Sequence, residues 1–246
     1  MEDLFALKGR RALVTGASGL LGGHFARTLR KAGAEVVLAA RRPDACSALA
    51  SELEAQVVAL DVLDDAGVRV AIEAAGALDI LVNNAGIAAT QPFLEQSAAE
   101  WDAVLDVNLR GAFLVAQAVA RGMVGRGSGG TIVNIASILA SRIIPGVAGY
   151  TAAKAGLVQL TRQMAVELAR HSIRVNAIAP GYIASDINAE FFASPAGEAM
   201  VKRIPQRRLG QAADLDGALL LLASDAGLHM TGSTVTVDGG HSIGSL

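Results

Sequence analysis

The sequence predicts an α/β fold: one domain built on a doubly wound parallel sheet with helices on both faces. Three observations carry this. Short, wholly apolar runs alternate with stretches whose apolar residues recur every three or four positions, as expected of strands buried on both faces between covering helices. The first run is followed at once by a glycine-rich turn that opens a helical pattern. No linker or repeat interrupts the 246 residues, so 1–246 reads as a single domain.

Taken in order, Arg10 to Val14 is the first strand, and Thr-Gly-Ala-Ser-Gly-Leu-Leu-Gly-Gly at 15–23 is the turn. Phe25, Ala26, Leu29 and Ala32 then recur at helical spacing, and Gly33 closes that helix. Val36 to Leu38 is a second strand, ending in Ala39-Ala40-Arg41-Arg42. A helix over about 43–54 leads to a strand at 56–60 that ends at Asp61-Val62, and a helix over 64–75 leads to the apolar run from Leu78 into Asn83-Asn84-Ala85-Gly86. A long helical pattern from Ala98 to about Val124 is expected to break near Asn108. After the turn at 127–130 comes a strand at 131–135, then a helix carrying Tyr150 and Lys154 to about Arg170. Arg174 to Ala179 is a strand stopped by Pro180-Gly181. Residues 184–208 mix helix and loop and hold Ile187, Phe191, Phe192 and Met200. A helix at 212–224 and a strand at 234–237 lead to Asp238-Gly239-Gly240.

Composition narrows the function classes. Hydrophobic residues make up 52% and aromatics only 4%, so the core is aliphatic. A net charge of −2 gives no electrostatic case for nucleic acid or an anionic membrane surface. The longest uninterrupted apolar run, Ala218 to Ala223, is far short of the roughly 20 residues a bilayer crossing needs. The N-terminal residues lack a basic stretch followed by a long apolar one, so no secretory leader is expected. The single Cys46 cannot form an internal disulfide and points to a reducing compartment, the cytoplasm. No metal is expected.

The chemistry centres on Tyr150-Thr-Ala-Ala-Lys154. Four residues apart on a helix, the two side chains share a face. To transfer protons near neutrality, a phenol that titrates near 10 must be brought to around 7–8, about 3 to 4 kcal/mol of differential stabilisation. A fixed ammonium is a suitable source, because a nearby positive charge favours phenolate. Ser137, at the end of the strand Thr131 to Ile135, is placed to hydrogen-bond the same substrate oxygen.

The turn after the first strand suits an anion. Gly16, Gly19 and Gly22 let the backbone approach a pyrophosphate, and the helix N-terminus behind them faces it. At the end of the second strand, where an acid often holds an adenosine ribose, the chain has Arg41-Arg42 and no carboxylate. Two guanidiniums suit a 2′-phosphate, so NADP(H) is expected over NAD(H).

These motifs, in this order, resemble the short-chain dehydrogenases/reductases over essentially the whole chain: Thr15-Gly16 with its glycines, Asp61-Val62, Asn83-Asn84-Ala85-Gly86, Asn108, Ser137, Tyr150 with Lys154, Pro180-Gly181 and Val237-Asp238-Gly239-Gly240. The resemblance implies a seven-stranded, Rossmann-like parallel sheet, usually in a homotetramer, working by hydride transfer. It implies Tyr150 as general acid in reduction and base in oxidation. Lys154 would lower the phenol's pKa and hold the nicotinamide ribose, Ser137 would orient the carbonyl, and Asn108 would hold a relay water. It also implies a cofactor lining of Gly16, Ser18, Gly19, Leu21, Gly22, Arg41, Asp61, Val62, Asn84, Ala85, Gly86, Pro180, Gly181 and Ile183, with Tyr150 and Lys154. Residues 184–208 would form a substrate lid. The loop departs from the family's usual pattern: Leu20 stands where a middle glycine is common, and the basic residue of many NADP-specific relatives is missing.

Substrate residues are expected at Tyr182, Ile187, Phe191, Phe192 and Met200, with Arg142 as a candidate for a substrate carboxylate. The run from Gly181 to Asn188, with Lys202-Arg-Ile-Pro and Arg207-Arg208-Leu-Gly, is similar to gluconate 5-dehydrogenase members of the family. The leading expectation is therefore an oxidoreductase for a small secondary alcohol or ketone such as a sugar acid. The alternatives are a 3-oxoacyl-[acyl-carrier-protein] reductase, docking its carrier on Arg121, Arg126, Arg170 and Arg174, and a nucleotide-sensing binder, which would have no use for Asn108, Ser137, Tyr150 and Lys154.

Overall fold

A computed structural model describes residues 4–186 and 188–244. Its strands are β1 (Arg11–Thr15), β2 (Glu35–Ala40), β3 (Gln56–Ala59), β4 (Ile80–Asn83), β5 (Gly130–Ile135), β6 (Ile173–Pro180) and β7 (Thr234–Val237). They form one sheet in the order β3-β2-β1-β4-β5-β6-β7, parallel throughout. The expected α/β class and seven-stranded parallel sheet are what the chain adopts. In register, Val14 of β1 lies opposite Leu38 on one side and Val82 on the other. The chain therefore winds outward from β1 in one direction, then crosses over to β4 and winds the other way. That reversal opens a crevice at the carboxyl ends of β1 and β4.

Alternate residues of each strand feed two cores. On one face Ala12, Val14, Leu38 and Val82 pack against α1 (Leu20–Lys31), α2 (Ser47–Leu53) and α9 (Asp216–Ala223) through Phe25, Leu29, Leu49 and Leu219. On the other, Leu13, Val37, Leu81 and Ile132 meet α3 (Asp65–Ala75), α5 (Ala112–Arg126) and α6 (Ala148–Leu168). The two-residue period of the strands makes both faces apolar, as the unbroken apolar runs required.

Two expectations change in detail. The helical pattern from Ala98 does not break at Asn108. α4 (Ala98–Leu105) and α5 are joined by a π-helical turn, Asp106–Gly111, which takes in an extra residue without ending the helix. The resulting 29-residue run, Ala98–Arg126, is long and apolar enough to cross a bilayer by composition. It covers the sheet instead, with Val115, Ala116, Val119 and Met123 fully packed in the core. Leu20 is half-exposed at the start of α1, so the residue in the usual glycine position turns outward.

Between β6 and α9 the chain makes an excursion containing α7 (Ala189–Phe192) and α8 (Pro195–Val201). Its two ends are stapled together: Ile183 bridges Gly210, with Ala184 N donating to Gly210 O at 2.9 Å and Gly210 N to Tyr182 O at 2.9 Å. Ile187 lies outside the described residues.

Candidate active site

The crevice is braced before it is furnished. Thr15, the last residue of β1, accepts the backbone N–H groups of Asn84 and Ala85 on its hydroxyl, both at 2.9 Å. Asn84 Nδ2 returns a bond to Thr15 O at 3.0 Å. The ends of β1 and β4 are thereby locked side by side. Gly16 follows with φ +65°, and a Cβ on Gly22 would lie 2.2 Å from Gly16 O. Only glycine permits the first turn of α1 to approach the loop that closely. No side chain caps α1 and its first turn carries no acid, so its positive end stays available to an anion. These features fit a dinucleotide pyrophosphate.

A cavity of about 370 Å³ opens from this loop along the carboxyl ends of the strands. Lys154 is 4% exposed and donates from Nζ to Ile135 O at 2.8 Å. Burial pulls its pKa down to about 8. Tyr150 lies one turn earlier on α6, with the ammonium 5.6 Å from its ring centroid. Burial pushes the phenol's pKa up, and the Ser137 hydroxyl beside it offsets part of that rise. The expected depression of Tyr150 by Lys154 is therefore not what the protein alone produces. In the chain alone, burial favours the neutral phenol, and the same burial favours the neutral form of the lysine.

Asn108 projects from the π-turn into the same space. Its Nδ2 is tied to Ile87 O at 2.7 Å and Val104 O at 2.9 Å. Its Oδ1 is buried without a partner. A Cβ on Gly86 would fall 2.7 Å from that oxygen and 3.6 Å from Lys154 Nζ, so the bare glycine keeps open a gap between an unsatisfied acceptor and a cation. Such a gap suits a water or a ribose hydroxyl.

Of the expected residues, Gly16, Gly19, Leu21, Gly22, Asn84, Ala85, Gly86, Asn108, Ser137, Tyr150, Lys154, Pro180, Gly181 and Ile183 all line this cavity. Ser18, Arg41, Asp61 and Val62 do not. Ser18 and Arg41 are exposed at the carboxyl edge of the sheet, whereas Val62 is buried and Asp61 Oδ1 accepts from Leu63 N at 3.0 Å. Arg142 is also outside: Nη1 donates to the carbonyls of His241 and Gly244, because the C-terminal turn folds back over it. Phe192 stacks edge-on against Tyr182, and Phe191 against Phe192. Sequence reasoning missed a buried chain in which Asn83 Nδ2 donates to Asn134 Oδ1 at 3.2 Å and Asn134 Nδ2 to Thr161 Oγ1 at 2.8 Å. It ties β4 and β5 to α6 below the tyrosine, and its signal was an asparagine inside each apolar strand run.

A family model described as Enoyl-(Acyl carrier protein) reductase matches residues 16–242. The chain is 40% identical over 248 residues to gluconate 5-dehydrogenase of Gluconobacter oxydans, covering 97% of this chain and 96% of that one. It is 39% identical over 236 residues to L-xylulose reductase of Bos taurus, covering 95% and 97% respectively. Among solved structures, gluconate 5-dehydrogenase from Burkholderia cenocepacia in complex with NADP and tartrate matches with a TM-score of 0.94 and 40% identity, over 98% of each chain.

Proposed function

The chain belongs to the short-chain dehydrogenase/reductase family and is an oxidoreductase acting on CH–OH groups, and from that premise we propose that it interconverts a sugar acid and its keto form, gluconate and 5-ketogluconate being the leading pair, with NADP(H). The observation that carries this is the meeting of Ser137, Tyr150 and Lys154 on the wall of the cavity that begins at the Gly16–Gly22 loop. The Gly16–Gly22 loop would hold a nicotinamide dinucleotide there, whose chemistry would be to supply or accept the hydride. In reduction the Tyr150 hydroxyl gives its proton to the carbonyl oxygen; in oxidation the phenolate takes the proton back. The Ser137 hydroxyl donates to the same oxygen and holds it in line. Lys154 would hold the cofactor's ribose, and Asn108 Oδ1, buried without a partner near it, would accept from a water or hydroxyl in the gap that Gly86 leaves open.

The preference for NADP(H) is supported by the exposed Arg41 and Arg42 directly after β2 and by the NADP of the Burkholderia relative. A sugar acid is supported by that relative's tartrate, a hydroxy acid, and by the gluconate activity in the relatives' names. An acyl-carrier-protein substrate is not favoured. Arg174 donates to Leu222 O and Ser224 O and Arg126 to Leu78 O, which places them at the amino ends of the strands, opposite the cavity. The stapled excursion 184–208 serves as the lid. The same reading takes the protein as a cytoplasmic homotetramer, supported by its one buried free cysteine and by Phe113 and Val166, apolar yet exposed on the neighbouring helices α5 and α6.

The test is a panel of keto sugar acids, neutral ketoses and β-ketoacyl thioesters followed by NADPH absorbance. The highest kcat/KM is expected on a keto sugar acid, and Tyr150→Phe is expected to lower kcat by about 10²–10⁴ while NADPH affinity stays within about threefold. A faster thioester, or an active Tyr150→Phe variant, overturns the reading.

A further inference from the structure

Among the described residues, four buried side-chain polar atoms have no hydrogen-bond partner: Asn108 Oδ1, Thr234 Oγ1, Tyr182 Oη and His241 Nδ1. The last two stand together, with ring centroids 5.3 Å apart, on the wall of a second cavity of about 60 Å³ that Ile138, Leu139, Arg142 and Arg203 also line. His241 is only 9% exposed. A buried polar atom without a partner costs about 1–3 kcal/mol, so two on neighbouring residues that line one small space mark a place where a polar ligand group completes the site.

Two guanidiniums and one carboxylate act on the His241 ring, so the charge around that space is positive in sum. The guanidiniums of Arg142 and Arg203 both act on His241, and Arg142 also acts on Tyr182. The nearby acid, Asp238, spends its carboxylate on its own turn, accepting from Gly240 N at 2.9 Å and Ser242 N at 2.6 Å. Burial, with Arg142 and Arg203 adding to it and Asp238 opposing, lowers the His241 pKa. The ring is therefore neutral near pH 7 and offers an N–H at Nδ1 in one tautomer. The occupant that satisfies a phenol O–H, an imidazole N–H and two guanidiniums is an anion, and the volume admits a carboxylate head but not a sugar.

The two cavities have no lining residue in common, but consecutive residues of two segments line one and then the other. Ser137 faces the catalytic space while Ile138 and Leu139 face the second one, and Ile183 and Tyr182 divide in the same way. Ser137 and Leu139 are two residues apart along the chain, at most about 7 Å between Cα atoms. That spacing suits an acid whose carboxylate stands several carbons from the reacting carbon.

We propose that Tyr182, His241, Arg142 and Arg203 form the subsite that takes the carboxylate of the substrate while its far carbinol or carbonyl reaches Ser137 and Tyr150. The proposal rests on the sugar-acid reading above and deepens it. Arg203 sits on the lid and Arg142 on the turn after Ser137, so lid and catalytic turn grip the same anionic end.

The test is calorimetric titration of D-gluconate, with neutral sorbitol as control, into NADP⁺-loaded wild type, His241→Ala, His241→Asn and Arg203→Ala, with NADP⁺ reduction measured in parallel. Gluconate is expected to bind the wild type and to bind His241→Ala and Arg203→Ala at least about tenfold more weakly. His241→Asn, whose amide replaces the N–H donor, should recover most of the loss, with sorbitol unaffected throughout. Unchanged gluconate affinity in both alanine variants, an equal loss for sorbitol, or no gluconate binding to the wild type overturns the subsite. Gluconate that binds through His241 but is not oxidised leaves the subsite standing and removes the proposed reaction; oxidation with an unaltered KM in the variants does the reverse.

Discussion

At the scale of the residue, Lys154 shows why a motif does not fix its own electrostatics. The spacing of Tyr150 and Lys154 announced a shared helix face, and the two do stand together. Burial, invisible in the spacing, then works against both charged forms, lowering the lysine and raising the phenol. The sign has a measurable consequence. Between about 8 and the 10.5 of a free lysine, the unfolded chain still holds the proton that the native state has shed. Stability therefore rises with pH across that window. From about pH 7.5 to about pH 9.5 the wild type should gain about 2 kcal/mol relative to Lys154→Met, read from urea unfolding at each pH. Parallel pH profiles for the two proteins would show that the lysine is not desolvated. The raised phenol acts in the opposite sense, but only above its unfolded pKa near 10, beyond this range. Tyr182 and His241 make the same point: no motif foretold that they would face each other unpartnered.

At the scale of the element, the glycine-rich turn was the most legible part of the site and the helix through Asn108 the least. A capping box of Ser97 and Glu100 starts α4, a signature present in the sequence. The π-turn that follows depends on packing against Ile87 and Val62, which helical periodicity cannot report. Two glycines in helices separate local from tertiary demand. Gly22→Ala puts a methyl 2.2 Å from a backbone oxygen; it should weaken NADPH binding more than about tenfold and lower Tm. Gly125 in the last turn of α5 has nothing within 4 Å of an added Cβ, so Gly125→Ala should stabilise by about 0.5–1 kcal/mol with kcat unchanged. Thermal melts with NADPH titration check both, and equal effects at the two sites would refute the close approach at Gly22.

At the scale of the whole molecule, sheet order decides what meets what. The ends of β1, β4, β5 and β6 arrive at one edge, bringing Asn84, Ser137 and Gly181 to the cleft that Tyr150 and Lys154 enter from α6. Arg41, exposed, directly follows β2 at the same edge of the sheet, outside the cavity lining. Arg41→Ala should weaken NADPH binding at least about tenfold while NADH changes by no more than about twofold, measured by fluorescence titration. Equal wild-type affinity for the two cofactors would remove Arg41 from that role. The sequence by itself determined the α/β class, the glycine-rich turn after the first strand and the tyrosine–lysine helix face, because period and spacing are properties of neighbouring residues. The tertiary structure alone decided that Lys154 is desolvated, that Asn108 Oδ1 is left open beside it, and that Arg142 turns to the C-terminal turn and the small cavity. Those outcomes depend on burial and on contacts between distant segments, which exist only once the seven strands have taken their order.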